Sequence, residues 1–314
     1  MSEPLKGILA MIAASMVWGL SPLYYKLLAE VPPLEVLSHR TLWSFVIFSL
    51  VLLAQRRLKT FFEMLADWRS LMIVGVAGLM ISINWFVFIL SIQIGHTVDA
   101  SLGYYVFPLV AVALGYLVLG EKLDRIQRLS VVIAFAAVVV LTVGLGAAPW
   151  ISLILSMSFG LYGLIKKSLT AGPVVSVTGE VFILLPLALI WLWGVNSAGW
   201  TGFVGREGGF FGADVRLSGL LVFSGFLTAT PLILFSYATK RLRLSTVGLI
   251  QYVNPTLQFL VATLVFQEFF SFWHGITFAM IWVALALYTF AGWRQEKSAR
   301  KAAMRASVVS TTVI

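Results

Sequence analysis

An internal repeat is the feature that most constrains this chain. Two long apolar segments match each other, without a gap, 147 positions apart. At this offset Pro108 and Glu121 recur as Pro255 and Glu268. Further pairs are Gly78 with Gly225, Phe88 with Phe235, Tyr105 with Tyr252, and Leu117–Val118 with Leu264–Val265. Because both segments are long enough to cross a bilayer as helices, the repeat predicts a membrane protein built from two copies of one helical bundle.

A second offset extends the repeat to the beginning of each half. The first apolar stretches of the two halves align 141 positions apart, so six residues are gained in the loops between the two registers. The matched residues are Ser15–Met16, Gly19–Leu20, Leu23 and Lys26 with Ser156–Met157, Gly160–Leu161, Leu164 and Lys167. The duplication therefore covers most of each half rather than one pair of helices.

The composition places the chain in lipid rather than in water. Of its 314 residues, 60% are hydrophobic and only 11% are charged, and the mean hydropathy is +0.97. A soluble domain carries roughly 25% charged residues, so this chain has too few to cover a surface that faces water. It contains no cysteine, which excludes disulfides, thiolate nucleophiles and cysteine metal sites.

Ten stretches are apolar and long enough to span a bilayer, which requires about 20 helical residues. We therefore predict an all-α polytopic membrane protein whose ten transmembrane helices form two inverted five-helix repeats. The inversion follows from the odd number, because after five crossings the second copy enters from the opposite face. The predicted spans are 7–28, 34–54, 70–92, 97–119, 127–145, 149–168, 175–195, 217–238, 244–267 and 272–293.

The positive charges predict how these spans are oriented. Loops on one side would hold 18 of the 22 lysines and arginines, whereas loops on the other side would hold only Arg206 and Arg216. Positively charged loops stay cytoplasmic, so both termini are expected in the cytoplasm. The first repeat would cover 1–146, the second 147–293, and residues 294–314 would form a basic cytoplasmic tail. Topology and contact with anionic lipid explain the net charge of +9, so no nucleic-acid partner is expected.

Two mid-span prolines and a row of amides are the first candidates for a functional role. A proline inside a helix frees a carbonyl group, which in lipid must face protein or a water-filled cavity. Pro108 and Pro255 are therefore predicted hinges or kinks that either line a cavity or only shape packing. In span nine, the amides Gln251, Asn254 and Gln258 share one helical face. Such amides either line a wetted cavity or bond across helices, and we favour the cavity.

A few ionisable side chains lie within predicted spans, where such groups are functional candidates by default. Glu35 and His39 are four residues apart and share a face near the outer end of span two, with Arg40 beside them. Glu180 lies near the cytoplasmic end of span seven. We predict that these four residues bind charge or couple protons. For Glu180, structural pairing with a neighbouring helix explains the sequence equally well.

Residues at comparable depth in the two halves are predicted to enclose a central cavity. Its walls would come from spans one, three, four, six, eight and nine. Trp18 and Trp85 lie deep in their spans, where an indole either packs or presents a flat wall to an aromatic solute. The predicted substrate-binding residues are Trp18, Asn84, Trp85, Tyr104, Tyr105, Tyr162, Thr228, Gln251, Tyr252 and Asn254.

Sequence motifs for catalysis and for cofactors are missing. The chain has no P-loop, HExxH, EF-hand loop or nucleophile elbow, which argues against an ATP-driven pump and against a membrane hydrolase. Three histidines and no cysteine also argue against a metal site. We expect neither enzymatic activity nor a cofactor.

Several short strings are far more specific than hydropathy. They are His39–Arg40 followed by Leu42–Trp43–Ser44–Phe45, Asn84–Trp85, Ala100-Ser-Leu-Gly-Tyr104, Tyr162-Gly-Leu-Ile-Lys-Lys167, Arg241-Leu-Arg-Leu-Ser-Thr246, Gln251–Tyr252 with Pro255–Thr256–Leu257, and Ile281-Trp-Val-Ala-Leu285. From Gly7 to about Trp293, the chain resembles the RarD-type permeases of the EamA group, in the drug/metabolite transporter superfamily. The resemblance implies ten helices in two inverted repeats, a bacterial inner-membrane location and a carrier role. The usual label of this family concerns chloramphenicol sensitivity.

We therefore predict a secondary transporter, a permease or exporter, that moves a small metabolite or an amphipathic drug-like solute by alternating access. The expected partners are the solute, membrane lipid and a proton or counter-substrate, and the sequence leaves a homodimer open. One alternative is a passive facilitator. Another is a non-transporting receptor or scaffold subunit, which a closed, dry interface between the repeats would favour.

Overall fold

The structure, a computed structural model, describes residues 2–242 and 244–311. All regular elements in these two ranges are helical. The α-helices are α1 (Glu3–Leu27), α2 (Pro33–Ala54), α3 (Leu58–Ala66), α4 (Trp68–Gln93), α5 (Thr97–Leu119), α6 (Arg125–Leu145), α7 (Trp150–Lys166), α8 (Pro173–Ala198), α9 (Val215–Thr239), α10 (Leu244–Gln251), α11 (Val253–Leu260) and α12 (Phe272–Thr311).

The described helices confirm the all-α polytopic fold. Nine segments of the described chain are long and apolar enough to cross a membrane, and the shorter apolar helix α7 supplies the tenth crossing. The predicted and observed limits agree to within a few residues. Helix α12 continues past the bilayer to Thr311 and so includes most of the predicted tail. Residues 312–314 of that tail, and Arg243 among the predicted basic loop residues, lie outside the described ranges.

Short polar residues fix where several of these helices begin and end. The carboxylates of Asp67, Asp124 and Asp214 each accept a backbone N–H at the first turn of α4, α6 and α9, respectively. These bonds satisfy donors that have no partner within the helix. Gly120 and Gly146 end α5 and α6 with positive φ values of 67°, a conformation that glycine adopts without steric cost. The connections are consequently short and hold neighbouring helices together.

The ninth span is not the continuous helix that the sequence predicts. It is interrupted at Tyr252, between α10 and α11, and then passes into a π-helical turn over Val261–Val265. Pro255 contributes to the interruption, because it has no N–H to donate to the carbonyl of Gln251 one turn earlier, although its counterpart Pro108 lies within the continuous α5. The carbonyl of Tyr252 accepts from both the hydroxyl and the backbone N–H of Thr256, at 2.6 and 3.2 Å.

Two segments predicted as loops have more structure than expected. Within 55–69, helix α3 forms and buries the side chains of Phe61 and Met64 against the bundle. The glycine-rich segment 196–216 suggests a flexible connector, but the structure anchors it to α2, to α4 and to the turn that follows α1. Arg206 of this segment donates to the carbonyl of Ala29 and to Gln93 Oε1, both at 2.6 Å. The segment is also held by the carboxylate of Glu35 in α2.

The packing of the helices has the two-fold pattern expected of two repeats. Helix α1 packs on α9, α10 and α11, and its counterpart α7 packs on α4 and α5. Helix α2 packs on α9, whereas its counterpart α8 packs on α4. Three further contacts between the repeats pair equivalent helices with each other: α2 with α8, α5 with α11, and α6 with α12. Most contacts between the repeats therefore have a counterpart or are their own counterpart, and the smaller contact of α3 with α8 is an exception.

Equivalent glycines occupy equivalent crossings in the two repeats. Gly19 of α1 closely approaches α11, and Gly160 of α7 closely approaches α5. Gly78 of α4 faces α8, and Gly225 of α9 faces α2. Small residues let helices approach closely in lipid. The repeat is thus expressed in side-chain packing as well as in helix order.

Candidate substrate cavity

A large cavity lies along the seam between the two repeats. Its volume is about 1140 Å³, which is at the upper end of the roughly 300–1,000 Å³ typical of small-molecule sites. Its wall comes from α1, α2, α4, α5, α7, α8, α9, α10, α11 and α12. The interface between the repeats is therefore hollow, not dry and closed.

The cavity is open at one end of the bundle. We call this end the basic face, because it carries the connections 55–67, 120–124, 167–172 and 240–242 that hold most of the loop lysines and arginines. Wall residues reach this face at the end of α5, the beginning of α8 and the beginning of α10, for example Glu121, Pro173 and Thr246. A solute could enter the cavity from the basic face.

At the other end, which we call the opposite face, a dry cluster closes the cavity. Leu28, Val31, Ile89 and Ile92 are each fully buried there and pack with Tyr25 in one apolar cluster. The amide of Gln93 donates to the carbonyls of Leu28 and Val31. Buried aliphatic side chains leave no path for water. The structure is therefore a state with access from one side only.

The structure brings nine of the ten predicted substrate-binding residues into the cavity wall. They are Trp18, Asn84, Trp85, Tyr104, Tyr162, Thr228, Gln251, Tyr252 and Asn254. Tyr105 is not among the wall residues. Its hydroxyl forms a 2.6 Å hydrogen bond with Thr256, and its ring packs edge-on against Phe278 and Trp282. Tyr105 therefore joins α5, α11 and α12 instead of facing the cavity.

The predicted hinges and amides also lie in the wall, but the amides differ in how firmly they are held. Pro108, Pro255 and Gln258 line the cavity together with their neighbours. The amide of Asn84 donates to the carbonyl of Leu155 at 2.9 Å and accepts from the hydroxyl of Tyr104 at 2.9 Å. Asn84 is therefore fixed in place and joins helices as well as lining the cavity.

Of the four residues predicted to bind charge or couple protons, only Arg40 lies in the wall itself. One terminal nitrogen donates to the hydroxyl of Tyr25 at 2.7 Å. The guanidinium lies 4.1 Å from the ring centroid of Trp85, a cation–π contact. Arg40 Nε is buried and has no hydrogen-bond partner among the described residues. The guanidinium therefore sits at the closed end of the cavity on an aromatic floor.

Glu180 forms a buried cluster directly behind the wall. Its carboxylate accepts from Lys166 Nζ at 2.7 Å and from the Tyr162 hydroxyl at 3.1 Å. Lys166 and Tyr162 both line the cavity, whereas Glu180 is only 1% exposed. The sequence allows either proton coupling or structural pairing for Glu180, and the structure contains a pair between Glu180 and Lys166.

Glu35 and His39 lie away from the cavity, under the glycine-rich segment. Glu35 accepts from the backbone N–H groups of Gly209 and Phe210 at 2.9 and 3.0 Å. The ring of His39 stacks on Phe211 at 4.7 Å, and both of its nitrogens are buried without hydrogen-bond partners. These contacts attach the segment to α2 at the opposite face. They give Glu35 a structural task that the sequence did not reveal.

Several wall residues were not predicted, although the repeat itself could have identified them. Moving 141 positions forward from Trp18 leads to Phe159, and moving 141 positions back from Tyr162 leads to Ser21. All four line the cavity. The unused signal was therefore the internal symmetry, applied to each candidate residue in turn. Residue type alone did not point to Phe159, because phenylalanine is common throughout the chain.

Comparison with known proteins agrees with this geometry. Residues 5–143 match the EamA-like transporter family. The chain is 40% identical to "Uncharacterized transporter YojE" of Bacillus subtilis, with 92% of this chain and 95% of that protein covered. It is 38% identical to "Protein RarD" of Streptomyces exfoliatus, with 100% and 96% covered. It is 30% identical to "Chloramphenicol-sensitive protein RarD" of Pseudomonas aeruginosa, with 96% and 98% covered.

A solved crystal structure shares the fold. The two chains superpose with a TM-score of 0.60 at 17% sequence identity, over 91% of this chain and 97% of the other. At this identity the likeness supports the arrangement of helices alone.

Proposed function

The chain belongs to the EamA family of membrane transporters, as a RarD-type permease, and from this premise we propose that it moves its solute by alternating access between the two repeats. The observation that carries the proposal is the cavity, which is open at the basic face and closed at the opposite face. Related repeats that enclose a central site can exchange the open end for the closed end by rocking. The solute class we propose is a small metabolite or an amphipathic drug-like compound.

The surrounding membrane and the orientation are part of the same proposal. Positively charged loops remain cytoplasmic, so the basic face and both termini would face the cytoplasm of a bacterial cell, in its inner membrane. The two repeats would be divided near residues 146 and 147, with the basic tail beginning at 294. The structure would then be the inward-open state, which takes up solute from the cytoplasm or releases it there.

Three features favour a carrier over the alternatives. A cavity that ends at a dry cluster is unlike the continuous path of a passive pore. A receptor or scaffold gains nothing from a large hollow seam walled by both repeats. The wall also offers aromatic rings beside a few polar groups, as small-molecule sites do.

A transport assay on reconstituted protein tests the proposal. A panel of labelled metabolites and amphipathic compounds is first screened for ligands that raise the melting temperature. The ligands found are then followed into proteoliposomes with and without an opposing gradient of the same solute or of protons. A carrier accumulates solute against its gradient only when a counter-gradient is supplied, whereas a facilitator only equilibrates it. A protein that binds ligand and never moves it would contradict the proposal.

Substitutions tie the transport to the cavity. We expect Gln251→Ala and Trp85→Ala to weaken ligand stabilisation and uptake together, because both side chains lie in the wall. Trp193→Ala is the matched control, because Trp193 is 63% exposed on the bundle surface and contributes nothing to the wall. Equal losses in all three variants would place the site elsewhere. A proton gradient that drives uptake in wild type but not in Glu180→Gln would assign coupling to the Glu180 cluster.

A further inference from the structure

The side chain of Arg40 has a role that the packing of the helices does not explain. We propose that it is the anchor for a carboxylate of the transported solute, so that the solute class is an organic monoanion with an aromatic or otherwise apolar body. The inference rests on the proposed transport function, and it specifies what the cavity carries.

The hydrogen bonds of Arg40 leave most of its donors unused. A guanidinium has five N–H donors, and in the described part of the chain only one bond uses them, from Nη1 to the Tyr25 hydroxyl. No carboxylate of the described residues lies within ion-pair distance of Arg40. The residue is nevertheless only 6% exposed. A buried cation without a counter-ion is costly, and an anion bound in the cavity would offset that cost.

The other charged side chains of the wall are already neutralised. Lys166 is paired with Glu180 at 2.7 Å. Glu121, at the mouth, is paired with Lys167. The described wall therefore carries one uncompensated charge, and that charge is positive. A monoanion would balance it, whereas a dianion would bring a second negative charge with no free cation to meet it.

The surroundings of Arg40 determine the rest of the ligand. A guanidinium binds a carboxylate through two parallel N–H···O bonds, which gives both strength and orientation. Around it, the closed end of the cavity is built from the rings of Tyr25, Trp85, Phe88 and Tyr104. Rings pack against apolar or aromatic groups, so the body of the ligand would lie on these residues while its carboxylate meets Arg40. The cavity continues toward the basic face, which leaves room for a larger tail.

A matched pair of ligands isolates the charge. The probes are 3-phenylpropionate and its neutral amide, 3-phenylpropionamide, which have nearly the same shape, with 3-phenylpropylamine as the cationic member. Binding is measured by calorimetry on the full-length protein in lipid nanodiscs. We expect the carboxylate to bind wild type at least tenfold more tightly than the amide, and the amine to bind least. We expect Arg40→Gln to abolish the preference for the carboxylate while it changes the affinity for the amide less than twofold.

Two further variants keep the test decisive. Arg40→Lys retains the charge but loses the planar fork, so an intermediate preference of a few-fold is expected, and it replaces Arg40→Gln if that variant does not fold. Lys26→Gln removes a cation in the last turn of α1. Lys26 is exposed and lies over the ring of Phe266, outside the cavity wall, so this control should keep the full preference for the carboxylate.

The outcomes that overturn the inference are distinct from those that overturn transport. Equal affinity of wild type for acid and amide, no binding of the carboxylate, or an unchanged preference in Arg40→Gln would each refute the anion site. Carriage of the amide at the same rate as the acid into proteoliposomes would also refute it and leave the transport function standing. Binding of the carboxylate through Arg40 without any uptake would support the anion site and refute transport.

Discussion

The two ends of the seam have related backbones but different chemistry. At the opposite face, the closed end contains the fully buried Ile89 and Ile92 of α4. The repeat places Ser236 and Thr239 of α9 at the equivalent positions near the basic face, where the cavity is open. Burial of aliphatic side chains stabilises a closed contact by roughly 1.5–3 kcal/mol per side chain, and serine and threonine offer much less. This difference favours closure at the opposite face over closure at the basic face.

A second pair of equivalent residues differs in the same direction. Glu268, which follows the ninth span, accepts from the backbone N–H of Val98 at 2.9 Å and so caps the beginning of α5 at the opposite face. Its counterpart Glu121, which follows α5, is paired with the side chain of Lys167 at the open end. Glu268 thus joins the end of the ninth span to the beginning of α5 at the closed, opposite face. Under alternating access, closure of the basic face would let Glu121 take the equivalent position at the beginning of α10.

The ionisable residues continue the comparison. Tyr25 corresponds to Lys166, and His39 corresponds to Glu180, at the offset of 141. The second repeat therefore has a buried ion pair where the first repeat has a phenol and an imidazole. The uncompensated Arg40 belongs to the first repeat. An inverted repeat thus supplies two equivalent gates, whereas the unequal side chains give the cavity a polarity that a symmetric pair of repeats would lack.

The largest expected effect comes from breaking the ion pair of the second repeat. Lys166→Met leaves the Glu180 carboxylate buried without its cation, so we expect a loss of about 3–5 kcal/mol in the free energy of unfolding. Glu180→Gln should cost less, because the Lys166 side chain is 19% exposed to the cavity and water can solvate it. Unfolding in mixed micelles measures both.

The double variant decides whether the pair acts as a unit. Lys166→Met combined with Glu180→Gln should recover most of the stability lost by Lys166→Met, since no buried charge remains. Purely additive losses would show that the two side chains do not stabilise each other. The equivalent position of the first repeat provides the comparison, because Tyr25→Phe removes one hydrogen bond, that from the charged Arg40, and should cost about 1.5–3 kcal/mol.

A smaller effect is expected where the helices cross most closely. A Cβ at Gly225 would lie 2.6 Å from the backbone carbonyl carbon of Trp43, whereas a Cβ at Gly78 would lie 3.5 Å from its nearest neighbour, Glu180 Cα. Gly225→Ala must move α9 away from α2, at a cost of roughly 1–3 kcal/mol. Gly78→Ala makes ordinary contact and gains helix propensity, so its effect should be neutral or slightly stabilising. Thermal melting of the pair would contradict the structure if Gly78→Ala were the more damaging change.

The fold could be predicted almost completely from the sequence, and the ninth span shows why the rest could not. Hydropathy over about 20 residues defines a membrane crossing, so the limits of the ten spans could be predicted from the sequence. A proline predicts a kink but not how far the helix is disrupted, because the path of the backbone near Pro255 depends on local hydrogen bonds such as that from Thr256 to the Tyr252 carbonyl. The anchoring of the glycine-rich segment depends on a carboxylate far away in sequence, and composition alone suggested flexibility.

The cavity was predictable in position but not in its charge balance. Depth within a span and the repeat together place Trp18, Asn84 and Gln251 on the seam. Whether a cation there is free depends on its neighbours in space. Lys166 and Arg40 look alike in sequence, and only the structure shows that the described residues place a carboxylate 2.7 Å from Lys166 and none within ion-pair distance of Arg40.

The contact of Glu268 is expected to hold the opposite face closed, and the chain is well suited to measuring this. It has no cysteine, so Ser21→Cys, which lies in the wall, is a unique site for a membrane-impermeant maleimide. Glu268→Ala removes the cap of α5 and should raise the rate of labelling from the opposite face roughly tenfold. That factor corresponds to about 1.4 kcal/mol, at the low end for a hydrogen bond to a charged group. The low end applies because the second carboxylate oxygen, Oε1, is buried without a partner.

The smallest effect in this state is expected from the equivalent glutamate at the basic face. Glu121 and Lys167 have side chains that are 47% and 61% exposed, and exposed pairs contribute about 0–1 kcal/mol. Glu121→Ala should therefore change the labelling of Ser21→Cys less than twofold. Added solute should also populate the state in which the basic face is closed and the opposite face is open. If Glu121 stabilises that state, Glu121→Ala should lower the rate of labelling from the opposite face in the presence of solute. An equal, tenfold rise in the labelling rate for both glutamate variants would mean that the two ends are equivalent. The difference in side chains between the two ends would then not determine which end is open.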